Sequence, residues 1–329
     1  MKNLLLKLIS LILVISTALF IATACNNDDF VASEGLEFEM SSDRTGYAVI
    51  GIGECFDRKV VIPLTYNDKP VIEIKKEAFK EDPFIEEVII TNNVTTIGAS
   101  AFEGCDKLTS ITIGAESIKD ADSAFYGCNA EIKWGDNPSI TEIPCDMFTG
   151  YEGTSIEIPN SVTSIGDSAF YNCDNLEKVY YLGDINSWAQ IEFSANYSNP
   201  LYYAKELYIN NELVTSANIT TSTKINDYAF YSCDKLTSVT IPNNVIGIGS
   251  CAFSNCTNLT NITIGNSVTT IGSYAFSNCA NLTNITIGNS VTTIGDYAFS
   301  NCDNLTSITY NGTKSEWISI SKGSSWVSI

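Results

Sequence analysis

Apolar residues return along this chain in two rhythms, a short alternation nested inside a long repeat. In residues 102–113, Leu108, Ile111 and Ile113 fall on one side of a period-two pattern, with Ser110 and Thr112 on the other. That pattern predicts a short strand with one buried face. Gly or Pro then breaks the strand, as at Gly114, Pro159, Pro242 and Gly265. A second apolar pair, such as Val268 and Ile271, returns the chain, and an Ala-Phe pair closes the unit. Residues 253–275 and 276–298 differ at only two positions. The same frame recurs with its aromatic at Phe79, Phe102, Phe125, Phe148, Phe170, Phe230, Phe253, Phe276 and Phe299, in steps of 23, 23, 23, 22, 60, 23, 23 and 23. One such unit cannot bury its own apolar side, whereas stacked coils share a continuous core. Three residues before the aromatic stands a short polar residue, Asp122, Asp167, Asp227, Ser250, Ser273 or Asp296. This is where an N-cap sits if a helical turn carries the Ala-Phe pair inward.

The frame, F-x-x-C-x-x-L-x-x-I-x-I-x3-V-x-x-I-G-x-x-A, resembles the BspA-like class of leucine-rich repeats over residues 36–329. The resemblance implies an α/β-type solenoid, with a parallel concave β-sheet and short helical or irregular convex segments. It also implies a surface protein engaged in protein–protein interaction or in adhesion to host or neighbouring-cell components.

The repeat divides the chain. Residues 36–78 read as a diverged N-terminal capping coil, 79–180 and 215–309 as regular repeats, and 181–214 as an aromatic-rich insertion. Residues 310–329 read as a partial module or cap, because Tyr310, Gly312, Trp317 and Ile320 match Tyr181, Gly183, Trp188 and Ile191 at identical spacing. Residues 1–24 have the charged start and apolar run of a secretory signal, and Ala22-Thr23-Ala24 lead to Cys25 as in a lipobox. Cys25 is the expected lipidation site, residues 25–35 a tether, and the N-terminal lipid the expected membrane contact. Ordinary cleavage or an uncleaved anchor would equally place the rest of the chain outside the cytoplasm. The expected location is therefore the cell envelope, lipid-anchored and surface-exposed.

Composition narrows the chemistry. Asp plus Glu number 38 against 18 Lys plus Arg, for a net charge of −20. Nucleic acid is not an expected partner, since that needs clustered cations. The chain has no histidine, which removes the residue most used for acid–base and nucleophile activation near neutral pH. With no Gly-rich phosphate loop or nucleophile elbow either, no enzyme activity, cofactor or metal is expected.

Seven of the 11 cysteines (Cys105, Cys128, Cys173, Cys233, Cys256, Cys279 and Cys302) share one frame position. They would stack about 4.8 Å apart with parallel side-chain directions, whereas a disulfide needs converging ones. Buried free thiols are expected there, leaving Cys55, Cys145 and Cys251 as the better candidates for a bridge. The candidate binding face is the outward side of the strands, at Ser110, Thr112, Ser238, Thr240, Asn261, Thr263, Asn284, Thr286, Ser307 and Thr309. The inserted aromatics Trp188, Tyr202 and Tyr203, with Trp317, are candidate contacts for an extracellular protein or glycan. Alternatively, they staple the insertion to the stack. Three functions remain open: an adhesin or interaction module, a glycan-binding accessory protein, or an envelope spacer.

Overall fold

The computed structural model describes residues 31–114, 118–135 and 138–327. Each regular coil contributes one four-residue strand, one two-residue strand and the Phe-bearing turn. The four-residue strands pair in parallel with identical register across coils. Ser216–Asn218, Ser238–Ile241, Asn261–Ile264, Asn284–Ile287 and Ser307–Tyr310 form one sheet. Lys59–Val61, Glu87–Ile90, Ser110–Ile113 and Glu131–Trp134 form a second. Ser155–Ile158, Lys178–Tyr181 and Glu206–Ile209 form a third. Two-residue strands such as Gly247–Ile248, Thr270–Ile271 and Thr293–Ile294 pair along another side.

The alternation read from sequence holds at atomic level. Ile262, Ile264, Ile285 and Ile287 are buried, while Asn261, Thr263 and Asn284 are exposed. Phe79 through Phe170 stack ring on ring at 5.2–5.9 Å, and Phe230 through Phe299 at 5.1–5.3 Å. These separations follow the coil spacing and give the offset arrangement that aromatic quadrupoles favour. The glycine of each I-G pair is fixed by close approach. A Cβ on Gly272 would lie 2.5 Å from backbone atoms of Gly249 and Ser250, and Gly98 is tighter still.

The expected α/β character needs correction, because the described residues form a β-solenoid whose helices are only three to six residues long. The Phe-bearing segments are turns, for a backbone reason. In all nine coils the residues two before and two after the Phe have positive φ, as at Ser100 (55°) and Gly104 (68°), or Tyr274 (57°) and Asn278 (59°). Left-handed residues at both ends prevent a continuous right-handed helix. Their amides instead point at the next coil: Tyr274, Phe276 and Asn278 donate to the carbonyls of Asp296, Ala298 and Ser300 at 2.8 Å each. The polar residue expected as an N-cap serves the same purpose. Asp227 accepts from the amide of Ser250, one coil on, at 2.8 Å, and Asp296 from that of Ser324.

Residues 181–214 are threaded into the stack. Glu192–Phe193 pairs with Ser164–Ile165, and Glu206–Ile209 pairs with Lys178–Tyr181. A hairpin with Asn210 and Asn211 both left-handed then turns the chain back through Glu212–Leu213. At the other end, Glu37–Met40 and Tyr47–Gly51 form an antiparallel pair over the first coils. Leu36 through Ile320 belong to one buried cluster. Among the described residues no helix is long and apolar enough to cross a membrane. Cys25 and the signal and most of the tether assigned from sequence lie outside those residues.

Candidate binding surfaces

The four-residue strands set two outward columns per sheet. In the C-terminal sheet these are Ser216, Ser238, Asn261, Asn284 and Ser307, and beside them Asn218, Thr240, Thr263, Thr286 and Thr309. All are exposed or half-buried. Ser110 and Thr112 take the same positions in the N-terminal sheet, next to Glu87, Glu131 and Lys133. The structure thus aligns the strand residues singled out from sequence, but in two separate sheets. Their neighbours at the strand start are already engaged. The hydroxyls of Thr237, Thr260, Thr283 and Thr306 each donate to the carbonyl of the equivalent residue one coil back, at 2.9–3.3 Å. Asn261 and Asn284 amides in turn donate to Thr260 and Thr283.

The middle sheet brings together two tyrosines of the aromatic-rich stretch whose pairing the sequence does not show. Glu157, Tyr180 and Tyr208 pair in register, and the two tyrosine rings meet at 5.0 Å. Both are half-buried and face outward. The Tyr208 hydroxyl donates to Glu206 at 3.1 Å, and Glu206 pairs with Lys235 at 3.4 Å. Partial burial raises the Glu157 carboxyl, helped by the charge of Glu131. Burial alternates along both strands, with Val179, Tyr181 and Leu207 inward, so Tyr180 and Tyr208 stand on the outward side. Reading 181–214 as an excursion from the stack hid the fact that they are neighbours.

The four aromatic candidates separate. Trp188 is fully buried: its ring packs on Tyr181 at 5.2 Å and its indole N–H donates to the Ala229 carbonyl at 2.7 Å. It is a staple and touches no solvent, so it is not a ligand contact. Its counterpart Trp317 packs on Tyr310 at 5.4 Å and stays half-buried, under the Lys322 ammonium 4.6 Å from its ring centre. Tyr202 and Tyr203 are half-buried and surface-facing.

With the coils and their faces defined, the family follows. A model of the BspA-type leucine-rich-repeat region matches in six copies, over residues 72–199 and 206–322. The chain belongs to this family. Among solved structures, it is similar to a leucine-rich repeat protein from Bacteroides ovatus at 25% identity and TM-score 0.50, covering 90% of this chain and 79% of that one. It is also similar to a leucine-rich cell surface protein from Faecalibacterium prausnitzii, at 23% identity and TM-score 0.39, covering 91% of this chain and 97% of that one. No curated protein matches at comparable significance.

In this BspA-type solenoid the cysteine ladder is built as the frame predicts. The seven thiols are free and buried, and those of Cys105, Cys173, Cys256, Cys279 and Cys302 donate to the carbonyl of the Phe one coil back at 2.9–3.2 Å. Loss of hydration pushes the thiols of Cys128, Cys173 and Cys233 up to about 12. Where the frame has Tyr151 in place of Cys, the phenol fills the slot and donates to the Ala130 carbonyl at 2.8 Å. The three cysteines expected as bridge candidates are also free, with Cys55 buried, Cys145 exposed and Cys251 between. Among the described residues no cluster of three metal-binding side chains occurs. A cleft of about 470 Å³ lies at the N-terminal end, between Ile52, Arg58, Ile85 and the exposed rings of Phe56 and Phe84.

Proposed function

We propose that the chain is a surface-anchored interaction protein whose long-strand side holds an extracellular protein, centred on Tyr180 and Tyr208. The observation that carries this reading is the outward tyrosine pair, 5.0 Å apart in the middle of the stack. Half-exposed aromatic rings ringed by charged groups, here Glu157, Lys178 and the Glu206–Lys235 pair, have the composition of an interface hot spot. Membership of the BspA-type family supports protein–protein interaction as the general role. The flanking columns of Ser, Thr and Asn extend the surface and suit a repetitive target engaged through many weak contacts. Anchoring rests on the N-terminal signal and on lipidation of Cys25. Adhesion to a host or neighbouring cell is the biological form this takes.

The test is binding of the full chain, by biolayer interferometry, to matrix proteins, mucins and polysaccharides. The double variant Tyr180→Ala/Tyr208→Ala should weaken saturable protein binding by about tenfold or more. Charge substitutions at Ser238, Asn261 and Asn284 should weaken it less. Saturable binding that neither set alters would sink the assignment to this side. No saturable ligand at all, with the protein folded, would favour a spacer role.

A further inference from the structure

On the turn side of the coils six tyrosines form one connected run. Tyr171 meets Tyr197 at 5.2 Å, and Tyr197 meets Tyr202 at 4.8 Å. Tyr202 touches Tyr203 at 4.8 Å and lies parallel to Tyr231 at 5.9 Å, and Tyr231 meets Tyr228 at 6.0 Å. The run crosses three stretches of chain, the Phe170 turn, the inserted segment and the Phe230 turn. None of the six is buried, and Tyr171 is 42% exposed.

The polar groups of the run are organised too. The amide of Asn172 donates to the Tyr203 oxygen at 2.9 Å. The Tyr197 and Tyr202 rings meet at 59° and the Tyr202 and Tyr231 rings lie within 1° of parallel, so the three phenols sit side by side. Two exposed carboxylates flank the run along the chain, Asp174 two residues after Asn172 and Asp227 directly before Tyr228. On a chain of net charge −20, flanking carboxylates repel an anionic ligand. They accept hydrogen bonds from one that carries many hydroxyls. Aromatic rings meanwhile offer rigid amphipathic faces at small entropy cost. A sugar ring presents the complementary pair of features, apolar C–H faces and a rim of hydroxyl groups.

We propose that the tyrosine run centred on Tyr202 and Tyr231 is a binding site for neutral oligosaccharide chains. It lies on a different side of the coil from Tyr180 and Tyr208 and does not depend on the protein-binding reading. Rings stack on successive sugars, while the phenol hydroxyls, the Asn172 side chain and the two carboxylates bond the sugar hydroxyls.

The test is isothermal titration of the full chain with neutral gluco-, manno- and xylo-oligosaccharides, and with heparin and polygalacturonate as anionic probes. The expected result is saturable binding to at least one neutral series and none to the anionic probes. Tyr202→Ala/Tyr231→Ala should weaken it about tenfold or more, with an unchanged melting transition as the folding control. Tyr180→Ala/Tyr208→Ala should leave it unchanged. The amide of Tyr228 donates to the carbonyl of Ser250, the neighbour of Cys251, at 2.9 Å, so bound sugar should slow the reaction of Cys251 with maleimide while exposed Cys145 reacts as before. Absence of neutral-sugar binding, binding indifferent to the Tyr202/Tyr231 change, or a tyrosine-dependent protein ligand in its place would each overturn the proposal.

Discussion

Trp188 donates its indole N–H to the carbonyl of Ala229, 41 residues away, at 2.7 Å. Together with the bonds that Asn186 accepts from the amides of Thr220 and Thr221, it ties the inserted helical turn Ile185–Trp188 to the next Phe-bearing coil. The ring also packs on Tyr181 and Phe193. The matching residue of the second module, Trp317, keeps the tyrosine contact, but its ring remains half-exposed. Trp188→Ala should therefore cost about 3–5 kcal/mol, the usual range for emptying a large buried aromatic site, and Trp317→Ala much less. Urea denaturation of the two variants checks this. Equal losses would contradict the different burial of the two rings.

The left-handed positions flanking each Phe make a backbone prediction. Asn301 sits at φ 57° on the surface and its amide donates to Asn278 at 2.8 Å. Asn301→Gly removes that side-chain bond but suits the backbone. Asn301→Val adds a β-branched side chain in a region it avoids, at a cost of order 1–3 kcal/mol. The denaturation midpoint should fall clearly further for Val than for Gly. The reverse order would mean the amide ladder matters more than the backbone.

The frame and its inward positions were legible in the sequence because every coil repeats them. Leu259, Ile262 and Ile264 predict their own burial through period-two alternation. Two things escaped for physical reasons. The residues two after each Phe are Gly, Asn, Ser or Glu, and only Gly and Asn advertise a positive φ. Ser232 and Glu81 adopt it because inter-coil hydrogen bonds impose it, so the turn resembled a capped helix. The inserted segment breaks the repeat length but not the strand pairing. Tyr208 beside Tyr180, and Tyr202 beside Tyr231, are tertiary neighbours whose spacing along the chain carries no periodic signal.

Reagent access to thiols should follow burial. In the native protein Cys145 should alkylate readily and Cys251 slowly. The ladder cysteines, 0–5% exposed, should react only on unfolding. Intact-mass or peptide mapping after a timed maleimide pulse reads this directly. Native labelling at Cys256 or Cys279 would mean that the coils open locally.

The pH dependence of stability follows from the same burial. The thiols of Cys128, Cys173 and Cys233 move from the ordinary 9.0 up to about 12 on folding. A group whose folded value is raised contributes in full below its unfolded value and loses that contribution as pH climbs through the folded one. Stability should thus be flat with respect to these thiols up to about pH 9 and decline between pH 9 and 12. Denaturant midpoints at pH 8 and pH 10.5 test it, compared between the parent and Cys233→Ala. The variant should start lower, because it leaves a small void in the core, yet lose less on going to high pH. Identical pH slopes for the two proteins would show that the buried thiol does not govern the alkaline decline.

The final prediction concerns the stack itself. Leu259 is fully buried between coils, whereas its equivalent Leu305 in the last regular coil is half-buried. In a solenoid each coil is stabilised by its neighbours on both sides, so truncation costs most where both are present. Leu259→Ala should cost about 2–5 kcal/mol, and Leu305→Ala a smaller amount. The two should also differ in how they fail. Hydrogen exchange in Leu305→Ala should rise first in residues 307–322, with the Phe230 and Phe253 coils still protected. Leu259→Ala should raise exchange on both sides of the lesion. Uniform exchange across the whole stack in both variants would instead mark the solenoid as a single cooperative unit with no fraying end.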